Sequence, residues 1–285
     1  MNNEEFLNEM LEYCTIKYRK FERVQRITLE LLKVFTNICY LNNIPCYAVY
    51  GTLLGIKRDK GMIPWDYDAD VAIPYCYIDQ VHQCLSKSLP DEYYFVSDRT
   101  DDTFSYYQMR ICKKGYSDNI HLDVFYLFGL SENVRKQFKL MKRMKRLFKL
   151  RKIKIESKAH LVSSRRKWAL FAKKIVSVFL HLRQLNLSMK KICSKCSYEK
   201  SSFVSFVYHE DFVFEKRLFG IPQENRALGF RVLVPEKSEE YLSDYYGDWQ
   251  KYYSLKTRCK EYEQLFCSLE KTDNLDSIDD KTIAD

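Results

Sequence analysis

Apolar residues recur at helical spacing through Ile27, Leu31, Val34, Phe35, Ile38 and Leu41, which predicts a long amphipathic helix over 20–42. Residues 44–50 then read as a strand that feeds a glycine turn at Gly51. Ile78, Val81, Cys84 and Leu85 predict a second helix, ended by Pro90. Stretches rich in aromatic and β-branched residues at 93–97, 104–112 and 119–127 predict further strands. Two amphipathic pieces follow. Phe138, Met141, Met144, Leu147 and Phe148 form one stripe over 134–150, and Phe171, Ile175, Val178, Phe179 and Leu182 form another over 168–185. Helices that flank strands of mixed connection predict an α+β fold, a mixed sheet core with covering helices. Residues 269–285 are polar, rich in acids and without period, and read as a disordered tail.

Composition narrows this picture. With 285 residues, 46% hydrophobic and 15% aromatic, the chain can bury a substantial core and is neither fibrous nor disordered as a whole. The acidic start, Met1-Asn-Asn-Glu-Glu, predicts no signal peptide, and no apolar run reaches the about twenty residues of a membrane span. Ten cysteines without a secretory signal read as reduced thiols. Cys193 and Cys196 have zinc-like spacing but supply only half of a ligand set.

The net charge of +9 is unevenly spread. From Arg135 to Lys191 there are 20 Lys and Arg against one acid, Glu156, a local charge of +19; the rest of the chain carries 27 basic and 37 acidic residues, or −10. The basic stretch with Met, Phe and Trp on its apolar side reads as an element for an anionic membrane surface across 134–185. A helix packed on the sheet with a solvated basic face is the plainer alternative. No nucleic-acid-binding motif accompanies the charge.

The chemistry concentrates in Ile63-Pro-Trp-Asp-Tyr-Asp-Ala-Asp-Val-Ala-Ile73. Asp66, Asp68 and Asp70 alternate, so in an extended chain they share one face. Bare carboxylates this close repel, and Mg²⁺ or Mn²⁺ would relieve the repulsion through hard oxygen ligands. Gly51, Thr52, Gly55, Lys57 and Arg58 lie just upstream, where backbone N–H groups and a basic side chain would hold a phosphate. Further on, Asp123 lies between Leu122 and Val124, expensive unless it binds metal or is paired, for which Arg110 is the candidate. Arg110 itself would suit a phosphate. His121 shares a face with Asp123 and reads as an ordinary hydrogen-bonded sheet histidine.

The run YGTLLGIKRDKGMIPWDYDADVAI resembles the signature of the LicD/fukutin family of nucleotidyltransferase-like enzymes: a GTLLG segment, a following Arg and a W-D-x-D-x-D cluster. Asp123-Val-Phe resembles the family's third acidic motif. Leu233-Val-Pro followed by Tyr246-Gly-Asp-Trp249 resembles its closing pattern. The resemblance implies a nucleotidyltransferase-like core, transfer of choline phosphate or a polyol phosphate from a CDP-linked donor to a glycan hydroxyl, and release of CMP. It implies Mg²⁺ or Mn²⁺ on Asp68, Asp70 and Asp123, donor contacts from Gly51, Thr52, Gly55, Arg58 and Arg110, and proton acceptance by Asp66 or Asp123. Tyr67 replaces the acid many LicD-like members carry there, which leaves the donor head group open. The chain would divide into a catalytic core with its N-terminal helix at 1–130, the basic helical insert at 131–192, the rest of the catalytic domain at 193–268 and the tail. It would work in the cytoplasm at the inner face of the membrane, on a glycan or its lipid-linked precursor. Rival readings are a nucleotidyltransferase acting on a protein, tRNA or small molecule, and a catalytically inactive membrane-surface adaptor.

Overall fold

The computed structural model describes residues 3–158, 175–207 and 212–254, with 256, 257 and 260, and the side chains of 21–156 in the first stretch. The first helix, α1 (Asn3–Leu41), starts well before the predicted position. Its buried stripe of Val24, Ile27, Leu31, Phe35 and Ile38 lies on the sheet. It stops where Asn43 turns left-handed at φ 53°, and the Ile44 N–H donates back to the Cys39 carbonyl at 2.9 Å. Asn tolerates that conformation better than most residues.

The strand predicted over 44–50 shrinks to β1 (Tyr47–Ala48). Pro45 lacks a ladder donor, and Tyr50 adopts φ 48°, which swings the chain into helix α2 (Tyr50–Leu54) and a π-helical turn at Gly55–Asp59. Gly51 therefore sits in the first turn of a helix rather than in a loop. The chain then returns as β2 (Ala69–Pro74) and passes a 3₁₀ turn (Tyr75–Tyr77) into α3 (Ile78–Ser88).

Strands β3 (Tyr93–Ser97), β4 (Met109–Lys113) and β5 (His121–Leu130) follow, and the sheet runs β1-β2-β5-β4-β3. Among the described residues only β2 and β5 pair in parallel. The beginning of β5 pairs with β4, and its end pairs antiparallel with β6 (Phe203–Phe206), which carries β7 (Phe214–Glu215). Paired on both sides, β5 buries Val124 through Leu130, as its near-continuous apolar run requires. A separate ribbon joins β8 (Gln223–Asn225) to β9 (Val232–Val234). The mixed sheet with helices agrees with the fold class expected.

The basic stretch divides differently from its sequence pattern. Helix α4 (Val134–Lys158) sends Met141 and Met144 into the core, while Phe138 stays 67% exposed. The stripe expected to meet lipid is thus largely spent on the core. The second piece is no single helix. Residues 168–174 lie outside the described residues, 175–179 are helical, and the chain breaks at 180–181 before α5 (Leu182–Cys193). His181 is extended at φ −104°, ψ 112°, which ends one helix and opens the next. The tail at 269–285 also lies outside the described residues. After β9, Val234-Pro235 leads into helix α6 (Ser238–Tyr246).

Met144→Ala removes a fully buried side chain and should cost about 2–5 kcal/mol in urea unfolding, whereas Phe138→Ala should cost less than about 0.5 kcal/mol. Equal costs would mean that α4 does not turn this face to the core.

Candidate active site

Parallel pairing sets Asp70 of β2 opposite Asp123 of β5. The other carboxylates of the cluster arrive from a loop: Asp68 lies just before the strand, and Asp66 lies in the segment that follows a short turn at Pro64-Trp65. The alternating row is thus built by one strand and the loop entering it.

Two glycines make room for that loop. A Cβ on Gly51 would stand 2.7 Å from Asp66 Oδ2, and one on Gly55 would stand 2.6 Å from the Gly61 carbonyl oxygen and 2.9 Å from the Ile63 nitrogen. Spaced by four residues, they lie on one helix face, and the carboxylate loop packs directly against it. Thr52 completes the join by accepting the Asp70 N–H on its hydroxyl at 2.7 Å, and the Val49 N–H donates to the Asp70 carbonyl at 3.1 Å. The space left among Gly51, Thr52, Asp66 and Asp68 is about 10 Å³, no more than one water needs. Side-chain faces that the sequence offered as a phosphate cradle are therefore used to seat carboxylates.

Helix α1 grips the same loop from outside. Gln25 donates to the Ile63 carbonyl at 3.2 Å and to that of Asp66, and Thr28 donates to the Tyr67 carbonyl at 2.7 Å. No motif signals either residue in the sequence, because each acts on backbone about forty positions away. The Tyr67 ring packs edge-on against Phe21 of α1.

Electrostatics divides the cluster in two. Burial holds the Asp66 carboxyl well above the ordinary range, aided by the charge and hydrogen bond of Asp68. Burial likewise raises Asp70, with the negative charges of Asp68, Asp123 and Asp66 adding to it. Asp123 goes the other way. Burial alone would raise it, but His121 and Arg110 outweigh that and leave it below the usual carboxylate range. Arg110 Nε and Gln108 Nε2 donate to Asp123 Oδ1 at 2.8 and 2.6 Å, and His121 Nε2 stands 3.5 Å from Oδ2. His121 Nδ1 lies 2.8 Å from the Asp118 carbonyl oxygen, which fixes the ring. The pairing of Asp123 with Arg110, offered above as the plainer alternative to metal binding, is present. The Arg110 guanidinium also lies over Tyr106 at 4.6 Å.

Arg58 is similarly engaged. It donates to Asp59 from Nε and, at 2.9 Å, from Nη2, and its guanidinium lies 4.3 Å from the Tyr252 ring centroid and 5.8 Å from that of Trp65. The closing motif reaches the site through α6: Tyr245 packs on Tyr50 at 4.9 Å, and the charge of Asp70 acts on Tyr245 and Tyr246, whose hydroxyls are raised chiefly by burial. Tyr50 holds its left-handed backbone among Phe125, Phe206 and Tyr245, packing that offsets a strain of about 1–3 kcal/mol.

Among the described residues no three His, Cys, Asp or Glu side chains stand ready as a closed metal cage, and the Cys193–Cys196 pair gains no further ligand. Mg²⁺ seldom asks for one. It is commonly held by one or two carboxylates plus water and substrate phosphate oxygens. Asp68 and Asp70 fit such a half-site, because half-buried Asp70 stands beside negative charge with Arg110 as its chief opposing cation. Asp123 would join through Oδ2, which faces His121 Nε2 at 3.5 Å, since Oδ1 is held by Arg110 and Gln108.

A mixed sheet with half-buried, converging carboxylates at the head of two parallel strands defines the class of protein to compare. Residues 43–159 match the family model described as LicD/FKTN/FKRP, nucleotidyltransferase domain. Lipopolysaccharide cholinephosphotransferase LicD of Haemophilus influenzae is 26% identical over 248 residues, spanning 81% of this chain and 77% of that protein. Together these likenesses support a LicD family protein, the family model covering residues 43–159.

Two predictions follow from the geometry. Gly55→Ala keeps an allowed helical backbone yet meets the Gly61 carbonyl, so it should destabilise by about 1–3 kcal/mol despite the better helix propensity of Ala. Gly61→Ala, whose nearest contact would be 4.0 Å away, should be tolerated in the same thermal melt. Second, because Asp66 and Asp70 are raised in the folded chain, the folded state binds more protons than the unfolded one above the ordinary carboxyl range. Stability in EDTA should therefore fall as pH rises through their folded pKa values. Asp70→Asn should raise Tm at pH 7.5 and flatten that slope; a lower Tm would contradict the repulsion described.

Proposed function

We propose that this protein transfers choline phosphate from CDP-choline to a sugar hydroxyl of a surface glycan or its lipid-linked precursor, releasing CMP. The observation that carries this reading is the seating of Asp66, Asp68 and Asp70 against the Gly51–Gly55 helix, with Asp70 beside Asp123. The Haemophilus relative, named as a lipopolysaccharide cholinephosphotransferase, supports the head group and the kind of acceptor. So do the rings of Tyr245 and Tyr246 near Asp70, since tyrosine faces attract quaternary ammonium groups.

In the proposed reaction the acceptor oxygen attacks the phosphorus that bears choline, and its bond to the CMP oxygen breaks. The acceptor proton passes to Asp66, since both oxygens of Asp123 already face Arg110, Gln108 and His121. A Mg²⁺ or Mn²⁺ ion, when bound, would neutralise the bridging phosphates. Asp68 and Asp70 would hold it, while Arg110 and His121 keep Asp123 ionised at its border. Arg58 would steady the site through Asp59 and Trp65 more than it would grip phosphate.

The chain would act at the inner, anionic face of a membrane. No helix among the described residues is long and apolar enough to cross one. Val134, Phe138, Val178 and Phe179 are exposed in or beside the basic stretch, and Phe138 with Val134, Val213, Lys142 and Lys145 lines an apolar cavity of about 420 Å³. That combination suits headgroup attachment, at about 1 kcal/mol per surface-proximal Lys or Arg.

Product analysis with labelled CDP-choline, CDP-ribitol and CDP-glycerol on purified glycan should give transfer from CDP-choline in the presence of Mg²⁺. Transfer only from a polyol donor would move the assignment to polyol phosphate, and nucleotide transfer from CTP or ATP would replace it. Asp68→Asn and Asp70→Asn should each lower kcat at least 10³-fold, and Mg²⁺ should raise the Tm of the native protein but not of Asp70→Asn. Vesicle cosedimentation should rise with phosphatidylglycerol, fall with salt, and weaken in Phe138→Ser/Phe179→Ser. No dependence on lipid charge would remove the membrane from the proposal.

A further inference from the structure

A second cavity, of about 420 Å³, opens at the other end of the parallel strands, between α5 and the segment after β3. Tyr75 on its wall lies five residues beyond Asp70, just past the end of β2, roughly 16 Å at strand rise, so this is a separate place from the carboxylate cluster.

Its floor is a chain of polar groups. The Tyr75 and Tyr107 hydroxyls meet at 3.0 Å, and Asp98, 6% exposed, accepts from the Tyr126 hydroxyl at 2.9 Å. Asn186 of α5 donates to the Asp98 carbonyl at 3.3 Å and accepts from Arg151 Nε at 2.9 Å. Arg151 is fully buried behind this wall, and both of its hydrogen-bond acceptors, Asn186 Oδ1 and the Tyr106 carbonyl, are uncharged. Buried polar groups of this kind are costly where they serve packing alone.

The rim is basic. Arg183, Asn186 and Lys190 are spaced by three and four on α5, so one helix face turns all three to the cavity. Arg99 joins them, held by Asp79 in an ion pair. Neither Arg183 nor Lys190 has an ion-pair partner among the described residues, and both are exposed.

We propose that this cavity binds a phosphorylated saccharide. Arg183 and Lys190 hold the phosphate, while Asp98, Asn186 and the Tyr75 and Tyr107 hydroxyls bond sugar hydroxyls, and the tyrosine rings cover the sugar's apolar edges. The ligand is an anion with several neutral hydroxyls. A bare anion would leave the floor unused, and a neutral sugar would leave the rim unused. The site is independent of the transfer chemistry above.

Isothermal titration of the full chain with glucose 6-phosphate, glucose and inorganic phosphate tests this without any donor. Glucose 6-phosphate should bind at least tenfold tighter than either other probe, and added salt should weaken it. Arg183→Glu/Lys190→Glu, two exposed changes, should weaken binding at least tenfold with Tm unchanged. Asp70→Asn should leave it as it was. Equal affinity for inorganic phosphate, no binding of the sugar phosphate, or binding that survives the double charge reversal would each overturn the proposal. Loss of binding in Asp70→Asn would place the ligand at the carboxylate cluster instead and overturn it too.

Discussion

Close approach between a glycine-faced helix and a carboxylate-bearing loop is the constraint on which the site depends. With side chains at 51 and 55 the loop would stand off, Asp66 would lose its seat, and the Thr52 hydroxyl would no longer reach the Asp70 N–H. The left-handed turn at Tyr50, held by aromatic rings from β5, β6 and α6, brings this helix in at the required angle. Helix α1 closes the arrangement through Gln25 and Thr28. Distant parts of the chain therefore converge on a few backbone atoms.

That convergence carries an electrostatic cost. Asp66 and Asp70 are half-buried near other acids, whereas Asp123, one strand away, has His121, Arg110 and Gln108 to compensate it. Burial and like charge raise the first two, and nearby cations lower the third. Carboxylates with such different environments are suited to different tasks. A cation or a proton stabilises the first pair, while Asp123 remains ionised without either.

The basic helices show a similar division. Met141 and Met144 join the core, leaving Phe138, Ile175, Val176, Val178 and Phe179 exposed among Lys and Arg. At the far end of the same helix, Arg151 is turned inward and joins α5 to the sheet through Asn186. One strongly charged stretch thus supplies a structural support, an exposed apolar edge and the rim of a cavity.

The sequence by itself determined the elements whose signal is local. The period of α1, the extent of β3, the carboxylate row and the closing Val-Pro…Tyr-Gly-Asp-Trp pattern were legible because each depends on neighbours a few residues apart. Tertiary structure decided the rest. Only parallel pairing placed Asp70 opposite Asp123, and only the packed sheet turned Arg110 onto Asp123 and occupied Arg58 with Asp59 and aromatic rings. The bounds of β1 and the break at 180–181 followed from backbone turns at Tyr50 and His181 that residue type does not signal. Which face of α4 meets the core was equally hidden, because a sheet and a lipid surface ask for the same apolar stripe. Spacing along the chain fixes which side chains share a face; what that face meets is fixed by contacts between residues far apart in sequence.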